Sequence, residues 1–412
     1  MDERRVVITG IGIVSAAGVG RDVNWANLLA GKNGIVPTTL VDVSDLPSQV
    51  SGQVPEYDMS TYIDKKELRR MDRFTQLAVS AAGEALDQAG LDIARDGDNI
   101  GCMIGSGIGG IGTLEQEFDV FFHKGAMRIS PLLVPMFIPD MAAGMTSIRF
   151  GLRGPNYNTV SACASGADAL GTAYEVVKRG DAVAMVAGGS EACVTRMSIA
   201  AFAQSRALSR NNDPETASRP YNLERDGFVI GEGAGIMVLE DLEHAQARGA
   251  TIIAEMVGYG QSADAFHVTQ PSENGEGAAR AMNMALKKSG LAAADIDYVN
   301  AHGTSTPLND KFETMSIKTV FGESAYTVPI SSTKSMIGHT LGAAGGIESA
   351  VTVMSIRDQK IHGTIHLDIP DPDCDLDYVS EGPRDVPIQY AMSNSLGFGG
   401  HNSSLVFGRY QG

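Results

Sequence analysis

Asn158-Thr-Val-Ser-Ala-Cys163-Ala-Ser-Gly-Ala-Asp-Ala-Leu170 is the stretch from which the rest of the chain is read. An apolar approach ends in small residues, a cysteine follows, and helical spacing then runs from about Ala164 to Arg179. A thiol so placed stands at a helix N-terminus, where unpaired N–H groups and the helix dipole favour a thiolate. The small neighbours leave room for a carbonyl, and the same N–H groups can hold an oxyanion. The plain alternative is a buried, inert cysteine, since free cysteines are among the most buried residues.

Around this segment lies an ordinary globular composition. Of 412 residues, 43% are hydrophobic and 20% charged, with core enough for two or three domains. The 48 glycines against 16 prolines point to close-packed layers and tight turns rather than disorder. Cys102, Cys163, Cys193 and Cys374 form no C-x-x-C pair, so neither a metal site nor a redox motif is expected, and a reducing compartment is the simplest reading. Met1 to Gly10 leads directly into a short strand without a signal-peptide pattern, and no apolar run approaches the roughly 20 residues of a membrane span. A cytoplasmic protein with no membrane partner is expected. The net charge of −17 argues against nucleic acid as a partner.

The chain repeats itself at half-length. Val6-Val-Ile-Thr-Gly10-Ile-Gly12 is an apolar strand ending in Gly-x-Gly, and Ala254-Glu-Met-Val-Gly258-Tyr-Gly260 does the same. Glu84-Ala-Leu-Asp-Gln-Ala-Gly-Leu91 parallels Met284-Ala-Leu-Lys-Lys-Ser-Gly-Leu291, each with a Gly suited to a helix C-terminus. Asp181–Gly188 reads as a buried strand, 347–358 as the second-half partner of the Cys163 helix, and Tyr390–Asn394 and Ser403–Gly408 as closing strands. Alternating strands and helices imply mainly parallel sheets covered by helices, in two halves, 1–253 and 254–412. Loops at equivalent strand ends can then meet in one cleft.

Three second-half segments carry polar residues in small-residue frames: Asn300-Ala-His302-Gly-Thr-Ser-Thr-Pro307, Ser331-Ser-Thr-Lys334-Ser-Met-Ile-Gly338-His339-Thr-Leu-Gly342, and Asn394-Ser-Leu-Gly-Phe398-Gly-Gly-His401-Asn402. All stand at ends of expected strands, the usual home of ligands in α/β sheets. A cysteine with two histidines suits nucleophilic acyl transfer, with imidazole N–H groups stabilising a developing negative oxygen. A Cys-His pair alone also fits a protease or a thiolase.

Taken together, Val160-Ser-Ala-Cys163-Ala-Ser-Gly, Asn300-Ala-His302-Gly-Thr-Ser-Thr, Lys334-Ser-Met-Ile-Gly-His339 and Gly397-Phe398-Gly-Gly resemble the β-ketoacyl-[acyl-carrier-protein] synthases. Within that family the likeness is to the elongating enzymes of bacterial type II fatty-acid synthesis, over nearly the whole chain. It implies an α/β, thiolase-like fold, with two duplicated halves in a five-layer αβαβα sandwich, usually as a homodimer. It also implies decarboxylative condensation of malonyl-acyl carrier protein with an acyl chain held on Cys163, needing no cofactor and no metal. By the same resemblance His302 and His339 assist decarboxylation, Lys334 orders the histidine site, and the N–H groups of Cys163 and Phe398 form the oxyanion hole. Phe398 would be a gate, Glu348 and Asp310 supporting acids, and Ile108 and Phe202 walls of an acyl pocket. Lys66, Arg69, Arg70, Arg128 and Arg206 match carrier-docking positions. The family often has Phe where this chain has Leu396 and Thr where it has His401.

Other readings are weaker. Gly105-Ser-Gly107-Ile-Gly-Gly110 fits the dinucleotide fingerprint after a strand, which would suggest an NAD-dependent dehydrogenase, but Glu115 and Glu117 come too early for the ribose contact. A thiolase would carry a second cysteine near Gly397–Asn402, and chain-initiating synthases pair Cys with His and Asn. A non-catalytic chain-length partner would lack Cys163. A catalytic ketosynthase of a type II polyketide pathway carries the same motifs.

Overall fold

The computed structural model describes residues 4–412. Its first half contains β1 (Val6–Ser15), α1 (Arg73–Ala89), β2 (Ile100–Gly105), α2 (Met141–Phe150), β3 (Asn156–Tyr157), α3 (Ser165–Arg179), β4 (Ala184–Ala192) and β5 (Glu232–Asp241). The second half repeats the series with β6 (Ala254–Ala263), α4 (Glu276–Ser289), β7 (Tyr298–Asn300), α5 (Pro307–Phe321), β8 (Ile330–Ser331), α6 (Ala344–Asp358), β9 (Tyr390–Gly397) and β10 (His401–Gly408).

Strand order is β3-β2-β4-β5-β1 in the first half and β8-β7-β9-β10-β6 in the second. In each, the first three strands pair in parallel and the fourth is antiparallel to both neighbours, so every strand but β5 or β10 runs the same way. The halves join where Val6–Ile8 pairs antiparallel with Ala254–Met256. Helices α1 and α2 cover one outer face, α4 and α5 the other, and α3 and α6 lie between the sheets, touching both. Three apolar cores fill the gaps: Leu77 and Val186 in the first outer layer, Leu170 and Val351 in the centre, Ile317 and Met392 in the second outer layer.

The Gly-x-Gly strands have a steric cause. A Cβ on Gly10 would lie 2.0 Å from the Ala85 carbonyl oxygen, and one on Gly12 1.9 Å from that of Ala81. In the second half Gly258 faces Ala285 at 2.6 Å and Gly260 faces Ala281 at 2.1 Å. Alanine-rich helix backbone thus rests directly on glycine strand in the same register twice. Gly90 and Gly290 end the two helices in the left-handed conformation, at φ 62° and 72°.

The central helices are also duplicated, down to their approach. A 3₁₀ turn at Ala162–Ala164 leads into α3 and one at Leu341–Ala343 leads into α6. Ala162 and Leu341 both take φ 50°, unusual for residues with a Cβ. Helix α6 starts at Ala344, three residues before the helical spacing at Ile347 suggests. Gly345 and Gly346 lie within it because a Cβ on either would strike the Ala167 N–H (2.4 Å) or the Gly235 carbonyl (2.3 Å). Helix packing here outweighs the poor helix propensity of glycine.

Gly12→Ala is expected to cost about 3 kcal/mol or more in denaturant unfolding, because the methyl has no room against α1. An unchanged unfolding midpoint would contradict that seating.

Candidate active site

Cys163 occupies the middle of the strained turn before α3 and is buried. The turn is pinned from several sides. The Ser161 hydroxyl donates to Asp168 in the first turn of α3, Tyr259 donates to the other oxygen of Asp168 (2.9 Å), and the Ser165 hydroxyl donates to the Ala162 carbonyl (2.6 Å). Gly397 lets the loop between β9 and β10 lie against it: a Cβ there would be 2.7 Å from the Ser161 carbonyl and 3.2 Å from the Cys163 nitrogen. The next residue, Phe398, and Cys163 itself both direct backbone N–H groups at the sulfur.

Burial pushes the Cys163 thiol up to about 12, against the pull of Lys334 and of those N–H groups. That shift opposes the thiolate that the sequence places at this helix N-terminus. Desolvation of the sulfur is the largest influence on it.

His302 follows β7 in a loop whose backbone is held from α5. Glu313 accepts the N–H groups of His302 (2.7 Å) and Gly303 (2.8 Å), and Asp310 accepts those of Thr304 (3.0 Å) and Ser305 (3.2 Å). Two fully buried carboxylates one helical turn apart thus take four consecutive donors. His339 follows the turn Lys334–Ile337, and its backbone N–H donates to the Val229 carbonyl (2.7 Å).

The ring tautomers follow from their neighbours. Lys334 Nζ lies 3.4 Å from Nδ1 of His302 and is ion-paired with Glu348. Nδ1 of His339 accepts the Leu341 N–H at 3.3 Å. A nitrogen that accepts carries no proton, so both neutral rings bear theirs on Nε2. Burial, then the charge of Lys334, pushes both imidazoles well below 6.5. The rings stand 5.2 Å apart, edge to face.

Cys163, His302 and His339 line one cavity of about 440 Å³, with Phe202, Phe398 and Leu396. Lys334 and Glu348 sit behind the His302 ring, and Asp310 serves the loop without reaching the cavity. Ile108 packs one layer back, in the apolar cluster around Cys163 and Phe202. Arg206 is on the cavity rim, whereas Lys66, Arg69, Arg70 and Arg128 are exposed away from it. His401 is exposed.

Three residues at the site have no motif in the sequence to announce them. Phe228 presents its ring to His339 at 5.1 Å and to Phe202 at 5.5 Å. Glu313 is one turn from Asp310 on α5, and that spacing is its only signal. Glu191 is enclosed at the end of β4 and accepts the N–H groups of Gly107 (2.7 Å), Ile108 (3.3 Å) and Gly109 (3.3 Å). Those donors belong to the glycine fingerprint, so the cradle that would take a dinucleotide phosphate is filled by a carboxylate of the chain itself.

Residues 3–245 match the family model described as beta-ketoacyl synthase, N-terminal domain, and residues 253–368 the beta-ketoacyl synthase, C-terminal domain. The chain belongs to the beta-ketoacyl synthase family. It is 53% identical over 409 residues to the 3-oxoacyl-[acyl-carrier-protein] synthase 2 of Staphylococcus aureus (strain COL), with 99% of each chain covered. The protein of that name from Synechocystis sp. is 49% identical over 413 residues, covering 100% of this chain and 99% of the relative. Among solved structures, a beta-ketoacyl synthase from Burkholderia phymatum STM815 superimposes with a TM-score of 0.92 at 38% identity, over 99% of this chain and 100% of that one. A type II polyketide acyl-carrier protein complex with its ketosynthase gives 0.92 at 37% identity, with the same coverage. The five layers are the thiolase-like fold of the beta-ketoacyl synthases. Among the described residues no helix is long and apolar enough to cross a membrane.

In the beta-ketoacyl synthase site described here, His302 and His339 are expected to remain neutral, with the proton on Nε2, at about pH 6, where an ordinary histidine is largely charged. Nitrogen NMR of histidine-labelled protein reads this directly, and ring protonation with a midpoint near 6.5 would contradict it. The unfolded chain takes up these protons below about pH 6.5 and the folded chain does not, so the two rings lower stability as the pH falls below that value.

Proposed function

We propose that this chain is an elongating 3-oxoacyl-[acyl-carrier-protein] synthase, an acyltransferase that lengthens acyl chains by decarboxylative condensation. The observation that carries the reading is the convergence of Cys163 and two Nε2–H imidazoles on one cavity. Full-length identities near one half to relatives named for this activity favour it over the polyketide reading.

In the first step the Cys163 sulfur attacks the carbonyl of an acyl-carrier thioester. The N–H groups of Cys163 and Phe398 bind the oxyanion, the carrier thiol leaves, and the thiol proton of Cys163 goes with it. In the second step malonyl-carrier protein loses CO₂, and the electron pair of the broken bond becomes an enolate whose oxygen accepts from His302 and His339. Neutral donors suit this oxygen, since their own charge does not change when the enolate forms. The enolate carbon then attacks the acyl-Cys163 carbonyl, and the carbon–sulfur bond breaks to release the cysteine as a thiolate, which regains its proton from water, as a β-ketoacyl-carrier product forms. Lys334 and Glu348 orient His302, and Glu313 and Asp310 hold its loop. Phe202 is a wall of the acyl pocket, with Ile108 backing it, and Phe398 is its gate.

Carrier protein is the proposed partner, docked by Lys66, Arg69, Arg70, Arg128 and Arg206. Arg206 on the rim supports this, as does the need for a local positive field on a chain of net charge −17. A second copy of this chain is the other proposed partner: Phe122, Met127, Ile148 and Val160 are exposed, and the helix of Ile148 and the segment of Val160 adjoin the uncovered edge strand β3. The two halves, 1–253 and 254–412, supply the cysteine and the histidines respectively, and a cytoplasmic setting suits four free cysteines.

Mass spectrometry after incubation with an acyl-carrier thioester should place one acyl group on Cys163. Cys163→Ala should lower condensation on the order of a thousandfold or more, while Cys163→Gln should retain or raise malonyl decarboxylation. Acylation elsewhere would overturn the assignment. About 0.5 M salt, which shortens screening to roughly 4 Å, should raise the KM for carrier protein about tenfold; an unchanged KM would remove the docking patch.

A further inference from the structure

The carboxylate of Glu191 faces donors on both sides. Its Oε1 accepts from the Ser106 hydroxyl (2.9 Å) and from the N–H groups of Ile108 and Gly109 (both 3.3 Å). Its Oε2 accepts from the N–H groups of Gly107 (2.7 Å) and Gly342 (3.1 Å). Four backbone donors and a hydroxyl make this a charge-assisted cradle turned inside out, with the anion supplied by the protein.

The two oxygens serve different segments. Oε1 takes the hydroxyl and N–H groups of the turn 106–109, which carries Ile108 into the apolar cluster around Cys163. Oε2 is shared between that turn and the turn 339–342, which carries His339. The turns touch at this oxygen: a Cβ on Gly342 would lie 2.3 Å from the Gly107 nitrogen and 2.6 Å from Oε2. Gly342 adjoins Leu341, whose N–H fixes the proton of the His339 ring on Nε2. Glu191 does not line the cavity, so it acts through what it holds.

We propose that Glu191 is a positioning residue whose shared oxygen sets the spacing between the Ile108 turn and the His339 turn, so that one carboxylate adjusts both acyl-chain selection and malonyl decarboxylation. The inference rests on the condensation proposed above. Glu191→Gln keeps the volume but turns an NH₂ group toward one set of N–H donors, whichever way the amide lies. Ser106→Ala removes a donor from the Oε1 side alone.

The test uses the full chain with acyl-carrier thioesters of short and long chains, reading Cys163 loading by mass spectrometry. Malonyl decarboxylation is read in a Cys163→Gln background, and thermal unfolding is recorded for every variant. Glu191→Gln is expected to lower decarboxylation about tenfold and to change the long-to-short loading ratio by a similar factor. Ser106→Ala is expected to change the loading ratio and to leave decarboxylation unchanged. Retention of both properties in Glu191→Gln overturns the proposal, as does a loss that only tracks the fraction unfolded. So does a Ser106→Ala variant whose decarboxylation falls with its loading. If Glu191→Gln does not fold, Gly342→Ala wedges the same two turns apart with the carboxylate in place; normal decarboxylation there overturns the proposal too. An unaltered chain that takes no acyl group on Cys163 fails the condensation reading instead, and is recognised before any variant is made.

Discussion

The chemistry of this site depends on one buried contact, between the Lys334 ammonium and Nδ1 of His302. Lys334 is almost wholly enclosed and is charge-balanced by Glu348 in the first turns of α6. Removing such a pair from water is costly, and a well-packed apolar pair would often be as stable. What the pair contributes is orientation. A donor at Nδ1 forces the ring proton to Nε2, and burial, reinforced by the positive charge of Lys334, holds both imidazoles well below their ordinary range. Without it His302 is free to rotate or change tautomer, and either change removes the Nε2 donor from the cavity.

Around that pair the buried acids are committed elsewhere. Asp310 and Glu313 take the backbone of 302–305, and Glu191 takes that of 107–109 and 342. Burial raises all three carboxyl groups, Glu313 to about 7, although the N–H groups oppose the shift. Carboxylates used in this way fix turns through many short bonds while keeping their charge off the cavity surface. A carboxylate facing the cavity would repel the enolate that the histidines are placed to receive.

The fold was legible because its closest contacts leave a mark on composition. Gly-x-Gly strands against alanine helices recur since backbone must touch backbone, and no larger residue fits at Gly12 or Gly260. The cysteine, the histidines and Phe398 were legible because the reacting groups sit in short frames of small residues. Glu191, Glu313 and Phe228 were not, because their partners are main-chain N–H groups or rings on other elements, and apart from the Asp310–Glu313 spacing these leave no pattern in sequence. The thiolate reading shows a related limit: a helix N-terminus can be read locally, whereas the burial that opposes a charge there comes from residues scattered along the chain, such as Val43, Ile199, Phe228 and Leu341. The glycine fingerprint shows the same limit, since only the fold reveals that Glu191 already fills it.

Duplication explains why the two kinds of chemistry meet. Ala162-Cys163-Ala164 and Leu341-Gly342-Ala343 are the same turn, with the same φ at the first residue and the same central helix beginning directly after. Gly342 therefore stands where the second half would carry its own cysteine. It cannot: the Gly107 nitrogen and Glu191 Oε2 occupy the space of its Cβ. One elbow keeps its side chain and serves the acyl group. Its twin gives up the side chain, packs against the first half and holds His339 by the N–H of Leu341. The asymmetry of the reaction is thus built from a symmetric fold by denying one of two equivalent turns the room for a side chain.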